Sequence, residues 1–100
     1  VPITSINENS NAVNSFYLSN NYPNPFNPST NINYTIPERR NVSLKVFDLL
    51  GGEVAQLVNG EIDAGSYNVS FNAANLPSGV YFYRLQAGDF VQTRKMILLK

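Results

Sequence analysis

The stretch that decides the fold is Val80-Tyr81-Phe82-Tyr83-Arg84-Leu85-Gln86, followed after Ala87-Gly88-Asp89 by the run from Phe90 to Leu99. The first run is rich in aromatic residues, which favour β-strands over helices. The three residues between the two runs have the composition of a tight connection. We therefore predict two antiparallel strands that pair as a hairpin over residues 80 to 99.

Three segments upstream of this hairpin alternate apolar and polar residues with period two. Their apolar positions are Ile32, Tyr34 and Ile36; Val42, Leu44 and Val46; and Tyr67, Val69 and Phe71. Alternation of this kind is typical of strands that bury one face. A Gly-Gly turn at residues 51 and 52 predicts a second hairpin, and Asn59-Gly60 predicts a further turn.

About seven short strands without a helical period predict an all-β fold, an antiparallel immunoglobulin-like β-sandwich. The sandwich is expected over residues 16 to 100. Residues 1 to 15 are mostly polar and rich in Asn and Ser, so we interpret them as a linker from an upstream domain. No run approaches the roughly 20 apolar residues that span a bilayer, which argues against membrane insertion.

The composition argues against several classes of function. Seven basic residues balance seven acidic ones, so the chain offers no basic field for nucleic acid. Histidine and cysteine are both absent, which removes the commonest general base, the commonest transition-metal ligand and thiol chemistry. Nearly all the acidic residues fall in predicted turns, and no Ser or Thr has an evident activating base. We therefore predict no enzyme activity, no cofactor and no metal site.

Five tyrosines could form a platform for sugar binding, because an aromatic ring with a polar tip suits the face of a carbohydrate. They are Tyr17, Tyr22, Tyr67, Tyr81 and Tyr83. In a sandwich without Trp, anchoring of the core and the turns is the favoured role for these rings. A carbohydrate-binding module therefore ranks low, only slightly ahead of an enzyme.

The segment Asn24, Pro25, Phe26, Asn27 and Pro28 is expected to form an extended loop at one end of the sandwich. Proline removes a backbone donor and biases the preceding residue towards extended geometry, so neither a helix nor a central strand can form there. Tyr22 and Phe26 are expected to close the end of the core.

Two segments have apolar residues on both faces of a predicted strand, whereas a sandwich strand usually buries one face. They are Val80-Tyr81-Phe82-Tyr83 and Met96-Ile97-Leu98-Leu99. Two explanations stay open: local loops cover the outer apolar face, or that face, flanked by Lys95 and Lys100, docks on a partner.

Several of these segments, in this order, resemble the C-terminal sorting domain of the type IX secretion system. They are residues 21 to 30 (NYPNPFNPST), 32 to 37 (INYTIP), 42 to 51 (VSLKVFDLLG), 78 to 85 (SGVYFYRL) and 95 to 100 (KMILLK). The resemblance covers roughly residues 16 to 100. One departure is Gly52, where the family commonly has Arg or Lys.

The resemblance implies a non-catalytic domain that directs an upstream cargo, by way of the periplasm, through the type IX translocon to the cell surface or the medium. It implies that the partners are the translocon and its outer-membrane shuttle and sortase components. By position, Lys95, Met96, Ile97, Leu98, Leu99 and Lys100 would form the terminal recognition strand, with Gly79 and Tyr81 on its aromatic partner strand. Recognition could then use surface docking or strand addition.

The alternative hypothesis is a structural or adhesive β-sandwich of a cell-surface assembly. An exposed strand edge would then pair with a neighbouring copy, so this hypothesis predicts self-association of the domain.

Overall fold

A computed structural model describes residues Ser15 to Lys100, and it contains seven β-strands. The strands are β1 (Tyr17–Leu18), β2 (Ser29–Ile36), β3 (Arg40–Phe47), β4 (Glu53–Ile62), β5 (Gly65–Asn72), β6 (Gly79–Ala87) and β7 (Phe90–Leu98). None of these described residues forms a helix that could cross a membrane. The predicted linker lies, apart from its last residue, outside the described part of the chain.

The strands form two antiparallel sheets that enclose one core. One sheet has three strands in the order β1-β2-β5, and the other has four in the order β4-β3-β6-β7. The predicted all-β sandwich is confirmed. The alternating apolar residues of both sheets meet between the layers, and the fully buried side chains include Ile32, Ile36, Val42, Leu44, Val46, Tyr83, Leu85, Met96 and Leu98.

The predicted terminal hairpin is confirmed by the pairing of β6 with β7. Their register runs from Ala87 opposite Phe90 to Gly79 opposite Leu98. Opposite residues of an antiparallel pair face the same side of the sheet. Tyr81 and Met96 therefore enter the core together, while Val80 and Ile97 lie together on the outer side.

The predicted Gly-Gly hairpin between β3 and β4 is also confirmed, and Asp48 organises its turn. One carboxylate oxygen of Asp48 accepts hydrogen bonds from the backbone N–H groups of Leu50 (3.0 Å) and Gly52 (2.8 Å). Gly51 has φ +91°, a left-handed value that favours glycine. These bonds and the Gly51 conformation define the backbone of the turn that carries Leu49 and Leu50.

The predicted turn at Asn59-Gly60 is wrong, because β4 continues through both residues to Ile62. Asn59 pairs with Ser43 and Gly60 pairs with Val42 in the ladder with β3. The local turn preference of an Asn-Gly pair is weak compared with a long strand pairing that buries an apolar face. Register shifts in β3–β4 lie instead between Leu44 and Lys45 and between Val46 and Phe47.

The two sheets are joined along one side by hydrogen bonds from β6 and β7 to the β1 region. The Tyr83 hydroxyl donates to the Ser19 carbonyl at 2.6 Å, and Arg94 Nε donates to the Leu18 carbonyl at 2.7 Å. Burial raises the pKa of Tyr83 to about 12, and the nearby Arg94 charge opposes that rise. Phe16 stacks on Phe90 with ring centroids 4.8 Å apart, so the described chain is packed from near its start.

Candidate docking surface

The terminal strand β7 presents two different rows of side chains. Met96 and Leu98 are fully buried and belong to the core. Lys95, Ile97 and Leu99 alternate with them on the outer side, and Leu99 remains 56% exposed. Of the residues predicted to form the recognition strand, the structure therefore places Met96 and Leu98 inside the sandwich and Lys95, Ile97 and Leu99 on its outer side.

The loop of residues 24 to 28 covers the outer edge of β7 near its end. Phe26 donates its N–H to the Ile97 carbonyl at 2.9 Å and accepts the Leu99 N–H at 3.0 Å, in a parallel bridge centred on Leu98. The Asn24 side-chain oxygen accepts the Ile97 N–H at 2.9 Å. The two predicted functional segments, which lie about 70 residues apart in the sequence, therefore form one structural unit.

Phe26 anchors this loop, because its side chain is only 2% exposed and its ring lies 6.2 Å from that of Phe71. The Pro28 carbonyl accepts the Ala73 N–H at 2.9 Å, while Asn24, Pro25 and Asn27 are exposed. The prediction that Phe26 closes the core is confirmed.

The same prediction for Tyr22 is wrong, since its side chain is 79% exposed. Tyr22 pairs with Asn31 of β2, and this pairing directs its ring to the outer side of the three-stranded sheet.

The two lysines that flank the recognition strand have different surroundings. Lys100 donates its backbone N–H to Ser78 Oγ at 3.0 Å, and its Nζ donates to the Ala74 carbonyl at 2.6 Å. Lys95 is exposed on the outer face opposite Phe82 and makes no ion pair with any described residue. Lys95 is therefore the freer of the two cations for contact with a partner.

Gly79 and Tyr81, the residues predicted on the partner strand, line a surface cleft of about 290 Å³. Asp48, Leu49 and Leu50 of the β3–β4 turn complete its wall, together with Ser78 and Val80. Tyr81 itself is buried and donates its hydroxyl to the Pro77 carbonyl at 2.7 Å. The Tyr81 ring therefore forms part of the floor of the cleft.

Leu49 and Leu50 are surface residues that the sequence analysis did not select. They are 67% and 95% exposed, and they lie in the turn whose backbone is bonded to Asp48. Two adjacent leucines directly before a Gly-Gly turn were the signal that could have found them, because a solvated turn has no need of large apolar side chains.

The outer face of the four-stranded sheet combines partly buried apolar side chains with cations. Val80, Phe82 and Ile97 are of intermediate burial, and the leucine turn covers part of the surface beside Val80. The Arg84 guanidinium lies 4.6 Å from the centre of the Phe47 ring. The first explanation, cover by a local loop, therefore accounts for the part beside Val80, while docking of the remaining outer face on a partner stays a prediction.

The acidic side chains of the described residues are engaged in turns or in exposed ion pairs. Arg39 bridges Glu61 at 3.0 Å and also contacts Asp63, while Lys45 lies 3.6 Å from Glu53. Within residues 15 to 100, no three acidic side chains gather into a group that could hold a metal ion. Because these pairs are exposed, each contributes little to stability.

The geometry defines a class of module: a small antiparallel β-sandwich whose last strand is sealed by a proline-rich loop and whose surface carries a candidate docking area. A family model described as the secretion system C-terminal sorting domain matches residues 20 to 99. The chain belongs to this family, whose members are the C-terminal secretion signals of type IX cargo.

One similar solved structure is that of PorZ, described as an essential bacterial surface component of the type IX secretion system of Porphyromonas gingivalis. It shares 19% sequence identity with a TM-score of 0.55, and the match covers 89% of this chain and 12% of that one. At this identity the likeness concerns the fold alone. The search of curated proteins found no match.

Proposed function

We propose that this domain directs a cargo, attached upstream through the linker of residues 1 to 15, through the type IX translocon. The cargo would pass by way of the periplasm and reach the cell surface or the medium. The match to the sorting-domain family over residues 20 to 99 supports this function. The domain acts without catalysis, as an address that translocon, shuttle or sortase components bind.

The edge of β7 bears on the choice between the two modes of recognition, because the loop of residues 24 to 28 already covers its end. Strand addition needs free backbone N–H and C=O groups at a sheet edge. Near the end of β7 these groups are already bonded to Asn24 and Phe26, so a partner strand would first have to displace the loop. The outer row of Lys95, Ile97 and Leu99 needs no such rearrangement. We therefore favour docking on this face over strand addition at its end.

The docking surface that we propose consists of this outer row and the leucine turn across the cleft. Exposed Leu49, Leu50 and Leu99 supply apolar area at the centre, and Lys95 supplies charge at the rim. This combination of an apolar centre and a polar rim is typical of protein interfaces. Because the whole arrangement depends on the sandwich, the folded domain is the signal.

The test is to fuse the intact domain to a periplasmically exported reporter in a type IX host and to measure reporter in the medium and on the surface. Lys95→Ala and Leu50→Ala each remove an exposed side chain, and Arg39→Ala at the Arg39–Glu61 pair is the matched control. We expect export by the intact domain and by the control, and reduced export by both surface variants.

Folding of each variant is first established by thermal melting. Retention of the intact fusion in the periplasm would contradict the sorting function in that host. Full export by a folded variant that lacks both Lys95 and Leu50 side chains would refute the docking surface while leaving the sorting function intact.

A further inference from the structure

The outer face of the three-stranded sheet has an unusual composition, and we call this surface the amide face. Its positions follow from the strand register, and its side chains all carry amide or hydroxyl groups. They are Tyr17, Ser19, Tyr22, Ser29, Asn31, Asn33, Thr35, Ser66, Asn68, Ser70 and Asn72. Within residues 15 to 100, no Lys, Arg, Asp or Glu occupies a position in these rows. Sheet faces that only meet solvent usually intersperse charges of both signs.

Two exposed tyrosines lie along one margin of the amide face. Tyr17 pairs with Thr35 and is 53% exposed, while Tyr22 pairs with Asn31 and is 79% exposed. Thr35 and Asn31 are four residues apart on β2, so the two rings are separated by roughly 13 Å along the strand. The other three tyrosines of the sugar-platform hypothesis are elsewhere: Tyr81 and Tyr83 are buried, and Tyr67 stacks on Tyr34.

The polar groups beside these rings are held in place across the strands. Asn68 Nδ2 donates to Asn33 Oδ1 at 2.5 Å, and the hydroxyls of Thr35 and Ser66 lie 3.1 Å apart. Within the described chain, the Asn33 amide nitrogen and the Asn68 amide oxygen have no side-chain partner. One amide donor and one amide acceptor of this pair therefore remain for a ligand, and the hydrogen bond between Asn68 and Asn33 already orders both side chains, which lowers the entropy cost of binding.

We propose that the amide face binds a neutral oligosaccharide. Its amides and hydroxyls can exchange hydrogen bonds with sugar hydroxyls, and the two tyrosine rings can pack against the apolar C–H faces of the sugar units. The rows of this face carry no charge, and the nearby Arg94 guanidinium at the β1 margin is already bonded to the Leu18 carbonyl and the Asn20 side chain. The face therefore favours a neutral ligand over an anionic or a cationic one. The opposite face of the sandwich differs, since its outer positions include Lys45, Arg84 and Lys95. This binding function is independent of the sorting function.

The experiment is to titrate the 100-residue chain with cellohexaose and with maltohexaose while recording its amide NMR spectrum. Oligogalacturonate is the anionic comparison. We expect chemical-shift changes at the amide face with at least one neutral sugar and none with oligogalacturonate. Removing one ring by Tyr22→Ala should weaken binding about tenfold, which corresponds to the loss of one favourable ring contact. Val91→Ala, an exposed site on β7, is the matched control and should bind as the parent does.

Melting and light scattering separate binding from unfolding and from self-association. Absence of shifts with both neutral sugars, unchanged affinity in a folded Tyr17→Ala, Tyr22→Ala variant, or equal binding of oligogalacturonate would each overturn the proposal. So would a dimer of the parent that the double variant abolishes, because a second copy would then occupy the face. Reporter export by the double variant should equal that of the parent, which keeps this result separate from the sorting test.

Discussion

At the scale of single residues, Phe26 connects the proline-rich loop both to the core and to the terminal strand β7, which are distant from it in the sequence. Its side chain fills the core beside Phe71, while its backbone bonds both Ile97 and Leu99. One residue of an irregular loop therefore contributes both to the core and to the edge of the terminal strand.

We expect Phe26→Ala to lower the free energy of unfolding by about 3–5 kcal/mol, because it removes a buried ring and leaves a cavity. Leu50→Ala should change it by less than about 0.5 kcal/mol, since Leu50 is 95% exposed. Urea unfolding of both variants measures the difference. Similar midpoints for the two variants would show that the loop does not depend on this anchor.

Tyr83 should make the domain sensitive to alkali. Burial raises its pKa to about 12 in the folded chain, above the ordinary value of 10.0, so the unfolded chain loses the proton first. The contribution of Tyr83 to the free energy of unfolding is fully present below pH 10 and is lost as the pH rises through about 12. The rise in the pKa of Tyr83 corresponds to a loss of about 2–3 kcal/mol of stability once the side chain is deprotonated in both states.

The measurement is urea unfolding between pH 8 and about pH 12. Tyr83→Phe should be less stable near neutrality by about 1 kcal/mol, because the Ser19 carbonyl loses its donor. Its alkaline decline should be shallower than that of the parent. The decline should not vanish, because burial also raises the pKa of Tyr34. Parallel pH profiles for parent and variant would contradict the assignment to Tyr83.

At the scale of elements, the β3–β4 turn offers a matched pair of glycines. Gly51 has a left-handed φ of +91°, whereas Gly52 has no positive φ and its Cβ would lie 3.3 Å from the Asp48 carboxylate. The turn therefore needs glycine at residue 51 for its conformation, whereas a side chain at residue 52 requires the Asp48 carboxylate to shift by a few tenths of an ångström.

We expect Gly51→Ala to cost about 1–2 kcal/mol, the usual penalty for a left-handed Cβ. Gly52→Arg should stay within about 0.5 kcal/mol of the parent, because the lower entropy of the unfolded chain offsets the close contact with Asp48. Thermal melting of the two variants side by side measures this contrast. A larger loss for Gly52→Arg than for Gly51→Ala would mean that the Asp48 carboxylate cannot shift.

At the scale of the whole molecule, the stability of the sandwich depends on its last strand, β7. Removal of residues 94 to 100 would take away Met96 and Leu98, at roughly 1.5–3 kcal/mol each, from a domain whose total stability is of the order of 5–15 kcal/mol. It would also leave Phe26 without its β7 partners and remove the Arg94 contact between the sheets.

We therefore expect the chain truncated after Thr93 to be largely unfolded by circular dichroism, and its failure in export would not identify a contact with a receptor. A truncated chain that keeps its β-sheet spectrum and a cooperative melt would show that the core is complete without β7. Export by such a chain would also remove the basis for the proposed recognition strand.

The edge of β7 upstream of the loop bears on the rival hypothesis of a self-associating sandwich. By alternation from Ile97, the backbone groups of Val91, Thr93 and Lys95 face away from β6, and no described backbone group bonds to them. We nevertheless expect a monomer in light scattering at high concentration, because Lys95 and the short open segment disfavour edge pairing. A dimer that Thr93→Pro disrupts would favour the structural or adhesive role.

Period-two alternation in the sequence was enough to predict β2, β3, β5 and the terminal hairpin, because the side chains that alternate along a strand are those that a sandwich buries. The Gly-Gly turn was likewise readable, since its geometry is a local property. The predicted turn at Asn59-Gly60 was wrong because pairing with β3 keeps both residues in a strand. That pairing involves residues far away in the sequence, so the local pattern does not reveal it.

The sequence by itself determined the class of fold, the inward rows of β2, β3 and β5, and the family. Only the tertiary structure decided that residues 24 to 26 seal the end of β7, that Tyr22 faces outward while Phe26 is buried, and that the leucine turn lies beside Gly79. It also brought uncharged residues of three strands onto one face. The reason is physical: burial within a strand follows from local periodicity, whereas contacts between strands depend on which distant segments the closed sandwich brings together.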